Sequence, residues 1–139
     1  MHNNRLGHTG ATALGASLQN LTALRTLNLS SNRNLGRDEE VKALAVHHLV
    51  SLQTLDLSEI ELTTEGATSL GASLQHLTAL RTLNLSENTL REEGVKAVGV
   101  SLQHLTSLQG LNISLQGLNI SLQGLNISLQ GLNISGMSN

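Results

Sequence analysis

Leu80-Arg81-Thr82-Leu83-Asn84-Leu85-Ser86-Glu87-Asn88-Thr89-Leu90 decides how this chain folds. The alternation Leu83-Asn84-Leu85 has the period of two that marks a short strand with its leucines turned inward. The same ladder recurs as Leu24-x-x-Leu27-x-Leu29, Leu52-x-x-Leu55-x-Leu57 and Leu108-x-x-Leu111-x-Ile113, and with Leu80-x-x-Leu83-x-Leu85 the copies lie 28 residues apart. A fixed period of this length predicts stacked units, each burying its apolar side against its neighbours.

Between the ladders the apolar spacing changes to three and four. Gly66-Ala67, Leu70, Leu74 and Leu77 fall on one face of a helix, as do Leu90, Gly94, Val98, Leu102 and Leu105. Thr63 or Thr64 can cap the first of these helices. Glu65, Asp38-Glu39-Glu40 and Glu92-Glu93 sit where a helix dipole favours an anion and read as solvated helix starts. Residues 1–20 form a half unit, in which Asn4, Leu6, Gly10, Leu14 and Leu18 take the positions of Asn88, Leu90, Gly94, Val98 and Leu102. The chain is thus expected to begin inside a repeat, after the strand that should precede it. One helix departs from the pattern: Val41-Lys42-Ala43 matches Val95-Lys96-Ala97 with a shift of two, and two residues are then missing before Leu49. Segments 15–32 and 71–88 differ only at Asn20/His76 and Ser31/Glu87, which implies a 56-residue duplication.

The run L-x-x-L-x-L-x-x-N-x-L-x-x-x-G-x-x-x-[LV]-x-x-x-L resembles the ribonuclease-inhibitor-type leucine-rich repeat, with the best fit at residues 80–102. The resemblance covers residues 1–114: the half repeat 1–20, 28-residue units from 21, 49 and 77, and a final strand at 108–114. It implies an α/β solenoid with a parallel inner sheet and outer helices. It also implies that Asn4, Asn32 and Asn88 form an asparagine ladder bonding to backbone in the turns. Ile60 takes that column in the second unit, so turn groups there are expected to lack a partner. The family holds inhibitors, receptor sensor regions and GTPase-activating proteins.

The tail at 115–139 is different. From Ser107 the unit Ser-Leu-Gln-Gly-Leu-Asn-Ile runs four times to Ile134, too short a repeat to close a leucine-rich turn. A coiled coil is rejected, because each heptad would hold a glycine, at about 1 kcal/mol relative to alanine, and no e/g charges. Two readings stay open. In a β-meander, Leu111, Ile113, Leu115, Leu118, Ile120 and Leu122 share one face. Alternatively the tail is disordered or aggregating, since LNISL is β-prone and lacks charge and proline. Either way self-association through the tail is expected, because nothing beyond Lys96 is charged to protect a sheet edge.

Composition narrows the function. The 139 residues hold no Phe, Tyr, Trp, Pro or Cys, so the core must be aliphatic and no disulfide can form. Lack of cysteine suits a reducing compartment, and a cytoplasmic setting is expected. The opening residues have no apolar h-region of a signal peptide, and no stretch reaches the roughly 18 apolar residues of a membrane span. A formal charge of −2 gives no basic footprint for nucleic acid.

The inner sheet face is expected to show Thr26, Asn28, Ser30, Thr54, Asp56, Ser58, Thr82, Asn84 and Ser86, followed by Gly110, Asn112 and Ser114. By resemblance this is the concave surface that takes protein partners. The Trp, Tyr and Arg anchors that dominate tight interfaces are missing from it. Asp56 is the one charge in those columns, with no second carboxylate or histidine in its unit for acid–base work, so no catalysis is expected. His48, His76 and His104 share a column that stacking could bring toward a metal; the plainer reading is polar residues at the outer edge, copied by duplication, and no metal or cofactor is expected. Gly10-x-x-x-x-Gly15 and Gly66-x-x-x-x-Gly71 only superficially resemble a phosphate loop, since they lie inside helical periods and read as packing glycines. The Asn-x-Ser/Thr sequons, such as Asn28 and Asn84, follow from the strand pattern itself. The expected function is a non-catalytic protein-interaction scaffold, a segment of or derived from a larger receptor or regulator. A GTPase-activating-type regulatory module is the alternative.

Overall fold

The computed structural model describes residues 4–113. Ser114 and the tail at 115–139, with the meander expected there, lie outside the described residues. Helices and strands alternate as α1 (His8–Leu18), β1 (Thr26–Asn28), α2 (Asp38–Leu44), β2 (Thr54–Asp56), α3 (Thr64–Leu74), β3 (Thr82–Leu85), α4 (Glu92–Leu102) and β4 (Gly110–Ile113). The strands form one parallel sheet in chain order. Its register is the sequence period: Leu27 pairs with Leu55, Leu55 with Leu83 and Leu83 with Leu111. Neighbouring parallel strands need a long crossover, and here each crossover contains a helix. The result is an α/β solenoid of the kind the leucine spacing predicts.

The ladder leucines and the apolar helix faces make one aliphatic core. Leu55, Leu83, Leu70, Leu74, Leu77 and Leu80 are almost wholly out of water. Each fully buried leucine contributes about 1.5–3 kcal/mol. Neighbouring units approach so closely that several glycines, Gly15 and Gly66 among them, cannot carry a side chain without backbone movement. A Cβ on Gly15 of α1 would lie 1.8 Å from the carbonyl oxygen of Ala43, and one on Gly66 of α3 would lie 1.9 Å from that of Gly36. Thr63 caps α3, its Oγ1 accepting from the Gly66 amide at 3.0 Å.

The irregular helix in the sequence is also the irregular one in the fold. α2 has 7 residues where α1, α3 and α4 have 11. It ends at Ala45, in the left-handed region with φ 50°, and a 3-10 turn at Val46–His48 leads to the next strand. The two residues gained before Val41 and the two missing before Leu49 cancel, so the helix is shorter while the crossover keeps its length and the sheet its register. Asp38 at the start of α2 takes the Ser69 hydroxyl of α3 and the Lys42 ammonium at 2.9 Å, which fixes the short helix to its neighbour.

Candidate interaction face

Because the strands pair in register, residues on the open side of the sheet form rows. Thr26, Thr54 and Thr82 make one row, and Asn28, Asp56 and Asn84 the next. Gly110 and Asn112 continue them on β4. A third row, Ser30, Ser58 and Ser86, follows the strands. The same small motif holds the three Asx–Ser pairs among the described residues. The Oδ1 of Asn28, Asp56 or Asn84 accepts the backbone amide of the serine two residues on at 2.9–3.0 Å, and its hydroxyl at 2.7 Å. Such short-range side-chain bonds fix the chain as it leaves the strand.

The rows are unevenly exposed. Thr26, Asn28 and Thr82 are open to solvent, while Ser30, Thr54, Asp56, Asn84 and Ser86 are half-buried. Ser58 departs from the expectation of a presented side chain: it is 9% exposed, with its hydroxyl turned onto Asp56. Asp56 needs only its acceptor for this motif, and Asn28 and Asn84 satisfy it with an amide oxygen. Asp56→Asn is therefore expected to leave stability within about 0.5 kcal/mol of the parent. Chemical denaturation checks this, and a loss of several kcal/mol would give the carboxylate a further role.

Behind the face, two asparagines hold the turns. Asn32 Oδ1 accepts the amides of Asn4 at 2.8 Å and Leu6 at 3.4 Å, and its Nδ2 donates to the Leu29 carbonyl at 2.9 Å. Asn88 Oδ1 accepts the amides of Ile60 and Leu62, each at 3.1 Å, while Nδ2 donates to the carbonyls of Leu57 and Leu85 at 2.9 and 3.1 Å. This corrects one expectation. The turn at Ile60 was expected to be short of partners, yet Ile60 donates its amide to Asn88 and accepts from the Gly36 amide at 2.8 Å. The reason is geometric: each asparagine serves the turn of the preceding unit, so the residue in a turn's own column does not decide whether that turn is satisfied. Asn4 enters through its backbone amide and is exposed.

At the carboxyl ends of the strands lies a feature the sequence did not single out. Ser31, Glu59 and Glu87 occupy one 28-residue column and all turn through the left-handed region, at φ 59°, 54° and 55°. Glu61 does so at φ 58°. An L-residue there costs about 1–2 kcal/mol. Arg33, Glu59, Glu61 and Glu87 line an open cleft of about 260 Å³. The trace it leaves in the sequence is the Ser31/Glu87 difference, one of two between segments 15–32 and 71–88, which shows a change of charge and not the turn itself.

The histidine column lies on the other side of the solenoid and is exposed. The shortened α2 changes which residue meets the next unit: His47, beside His48, has its ring centroid 6.4 Å from that of His76. Partial burial, then the charges of His48 and His76, hold the His47 imidazole below its ordinary value of 6.5. The folded state therefore resists a proton that the unfolded chain accepts, so stability is full above pH 6.5 and falls as pH drops below it. His47→Gln is expected to flatten the melting-temperature curve between neutral pH and about pH 5.5 relative to the parent; superimposable curves would show that His47 does not contribute. Among the described residues no three His, Cys, Asp or Glu side chains are grouped to hold a metal.

Comparison with known proteins bears on the repeat. Residues 74–99, from the end of α3 through β3 into α4, match a family model described as Leucine Rich repeat. Over those residues the chain is similar to a leucine-rich repeat. The match does not extend to the ribonuclease-inhibitor subtype. No curated protein sequence matches this chain. Among solved structures, an internalin (inlF) from Listeria monocytogenes is similar, at 19% identity and a TM-score of 0.46, over 88% of this chain and 37% of its own. The present chain thus spans well under half of that neighbour's length. Among the described residues no helix is long and apolar enough to cross a membrane.

Proposed function

We propose that this leucine-rich repeat segment is a non-catalytic scaffold that holds a protein partner on the open face of its sheet. The observation that carries this is the repeated, in-register display of Thr-x-Asx on β1, β2 and β3, with leucines buried behind it. On that side Thr26, Asn28 and Thr82 are open to solvent, while the leucines on the other side of the strands join the helix leucines in one core. A catalytic reading finds little support here. Asp56 has its Oδ1 committed to Ser58, and the histidines stand on the opposite side of the fold. Lack of cysteine in all 139 residues supports a reducing, cytoplasmic setting.

The test is a comparison of two blocking substitutions. Thr82→Arg with Asn84→Arg places bulk and charge on the face, whereas Val100→Arg alters an exposed position on the outer side of α4. Partners captured from an extract of the source organism should be lost with the first variant and kept with the second. Equal capture by both would remove the face as the interface.

Self-association through residues 115–139 is a separate proposal, resting on the absence of charge beyond Lys96. Light scattering should show concentration-dependent growth for the full chain and much less for a chain ending near Ser114. Equal behaviour of the two would sink it.

A further inference from the structure

The open face is electrically polarised along its strands. At the amino ends of β1 and β3, Arg25 and Arg81 occupy one column and are exposed. At the carboxyl ends, Glu59, Glu61 and Glu87 are exposed, with Arg33 the one cation lining their cleft. Between these ends the rows carry hydroxyls and amides, with Asp56 the one ionisable group. On the outer helices ion pairs join Lys42 with Asp38 and Glu39, Lys96 with Glu92 and Glu93, and His8 with Glu40. Arg25, Arg81, Glu59 and Glu61 take part in none of them.

We propose that the face selects a protein segment of opposite polarity, acidic where it meets Arg25 and Arg81 and basic where it meets Glu59, Glu61 and Glu87. This deepens the proposed function and rests on its assignment of the open face. Arg81 and Glu87 flank β3 and are six residues apart. At about 3.3 Å per residue that is roughly 20 Å, the reach of a short extended segment lying along the strands. Charge complementarity of this kind fixes orientation and excludes wrong partners more than it adds raw affinity. It also suits a face without aromatic anchors, where specificity must come from charge and hydrogen bonding.

Synthetic peptides of about eight residues are suitable probes, since they span the face when extended. One has two glutamates at one end, two lysines at the other, and serine, threonine and asparagine between. A second has the same composition with the charges interleaved. Binding is read by amide chemical-shift changes, which register weak contacts. The bipolar peptide is expected to bind at least about tenfold more tightly than the interleaved one, and high salt should abolish the difference. Glu59→Lys with Glu87→Lys should remove the preference, as should Arg25→Glu with Arg81→Glu. Reversing both ends in one chain should restore it, because the peptide can simply turn around; a merely disruptive set of substitutions would not recover. Equal binding of the two peptides, no shift with either, or no recovery in the doubly reversed chain would overturn the proposal. Equal peptide binding combined with loss of capture in the Thr82→Arg, Asn84→Arg variant would leave the interface reading standing without the polarity. If that variant retains capture, the interface reading itself fails.

Discussion

Asn88→Leu is expected to lower stability by about 3–5 kcal/mol. One side chain, 7% exposed, accepts from the Ile60 and Leu62 amides and donates to the Leu57 and Leu85 carbonyls. Leucine has a similar volume and no polar atom, so buried backbone groups in two units would lose their partner together. Each unsatisfied buried group costs about 1–3 kcal/mol. Asn88→Asp should cost less than Asn88→Leu if the acceptor matters more, since it keeps the two amide contacts and loses the donors. Asn32→Leu should also cost less, because the Asn4 and Leu6 amides that Asn32 serves are only partly buried. Urea denaturation of the three variants measures this ordering. A loss below about 1 kcal/mol for Asn88→Leu would mean that water reaches the turn and replaces the side chain.

Leu83→Ala is expected to cost about 2–5 kcal/mol. Leu83 is fully buried on β3 and pairs in register with Leu55 on one side and Leu111 on the other. Strands on both flanks hold the sheet in place, so the cavity cannot readily collapse, which puts the cost toward the upper part of that range. The matching change at Leu27, 8% exposed on the edge strand β1, should cost less. Equal losses at both positions would be inconsistent with a core that is best packed in the inner units.

The fold was legible because its main determinant is periodic. Leucines at a two-residue alternation, repeated every 28 residues, specify both the strands and their register, and each sheet pairing joins residues 28 apart. The irregular helix was legible as well, since Val41-Lys42-Ala43 stands two residues late while Leu49 is back in register, which leaves two fewer residues for the end of the helix. What periodicity could not reveal was how one unit serves another. The satisfaction of the Ile60 turn by Asn88 depends on which way an asparagine faces along the stack, and a column of aligned residues carries no such direction.

The candidate face was readable in its rows but not in its ends. Thr82 and Asn84 follow from strand alternation, whereas Ser58 is buried while Ser30 and Ser86, with the same bond to their Asx partner, are half-buried, a difference alternation does not encode. The carboxylates of Glu59, Glu61 and Glu87 come together only because the chain turns through positive φ at each of them. A left-handed turn at glutamate goes against residue preference, so the sequence gives no local sign of it. His47 in place of His48 beside His76 has a similar origin, in the abrupt end of α2 at Ala45.

The most direct measurement is site-specific photo-crosslinking with a photoreactive amino acid placed either at position 84, on the open face, or at position 100, on the outer side of α4. In an extract that contains the partner, a face that holds a protein should give a discrete covalent adduct from position 84 and none from position 100. An adduct from position 100 alone would contradict the assignment and move the interface to the helical side.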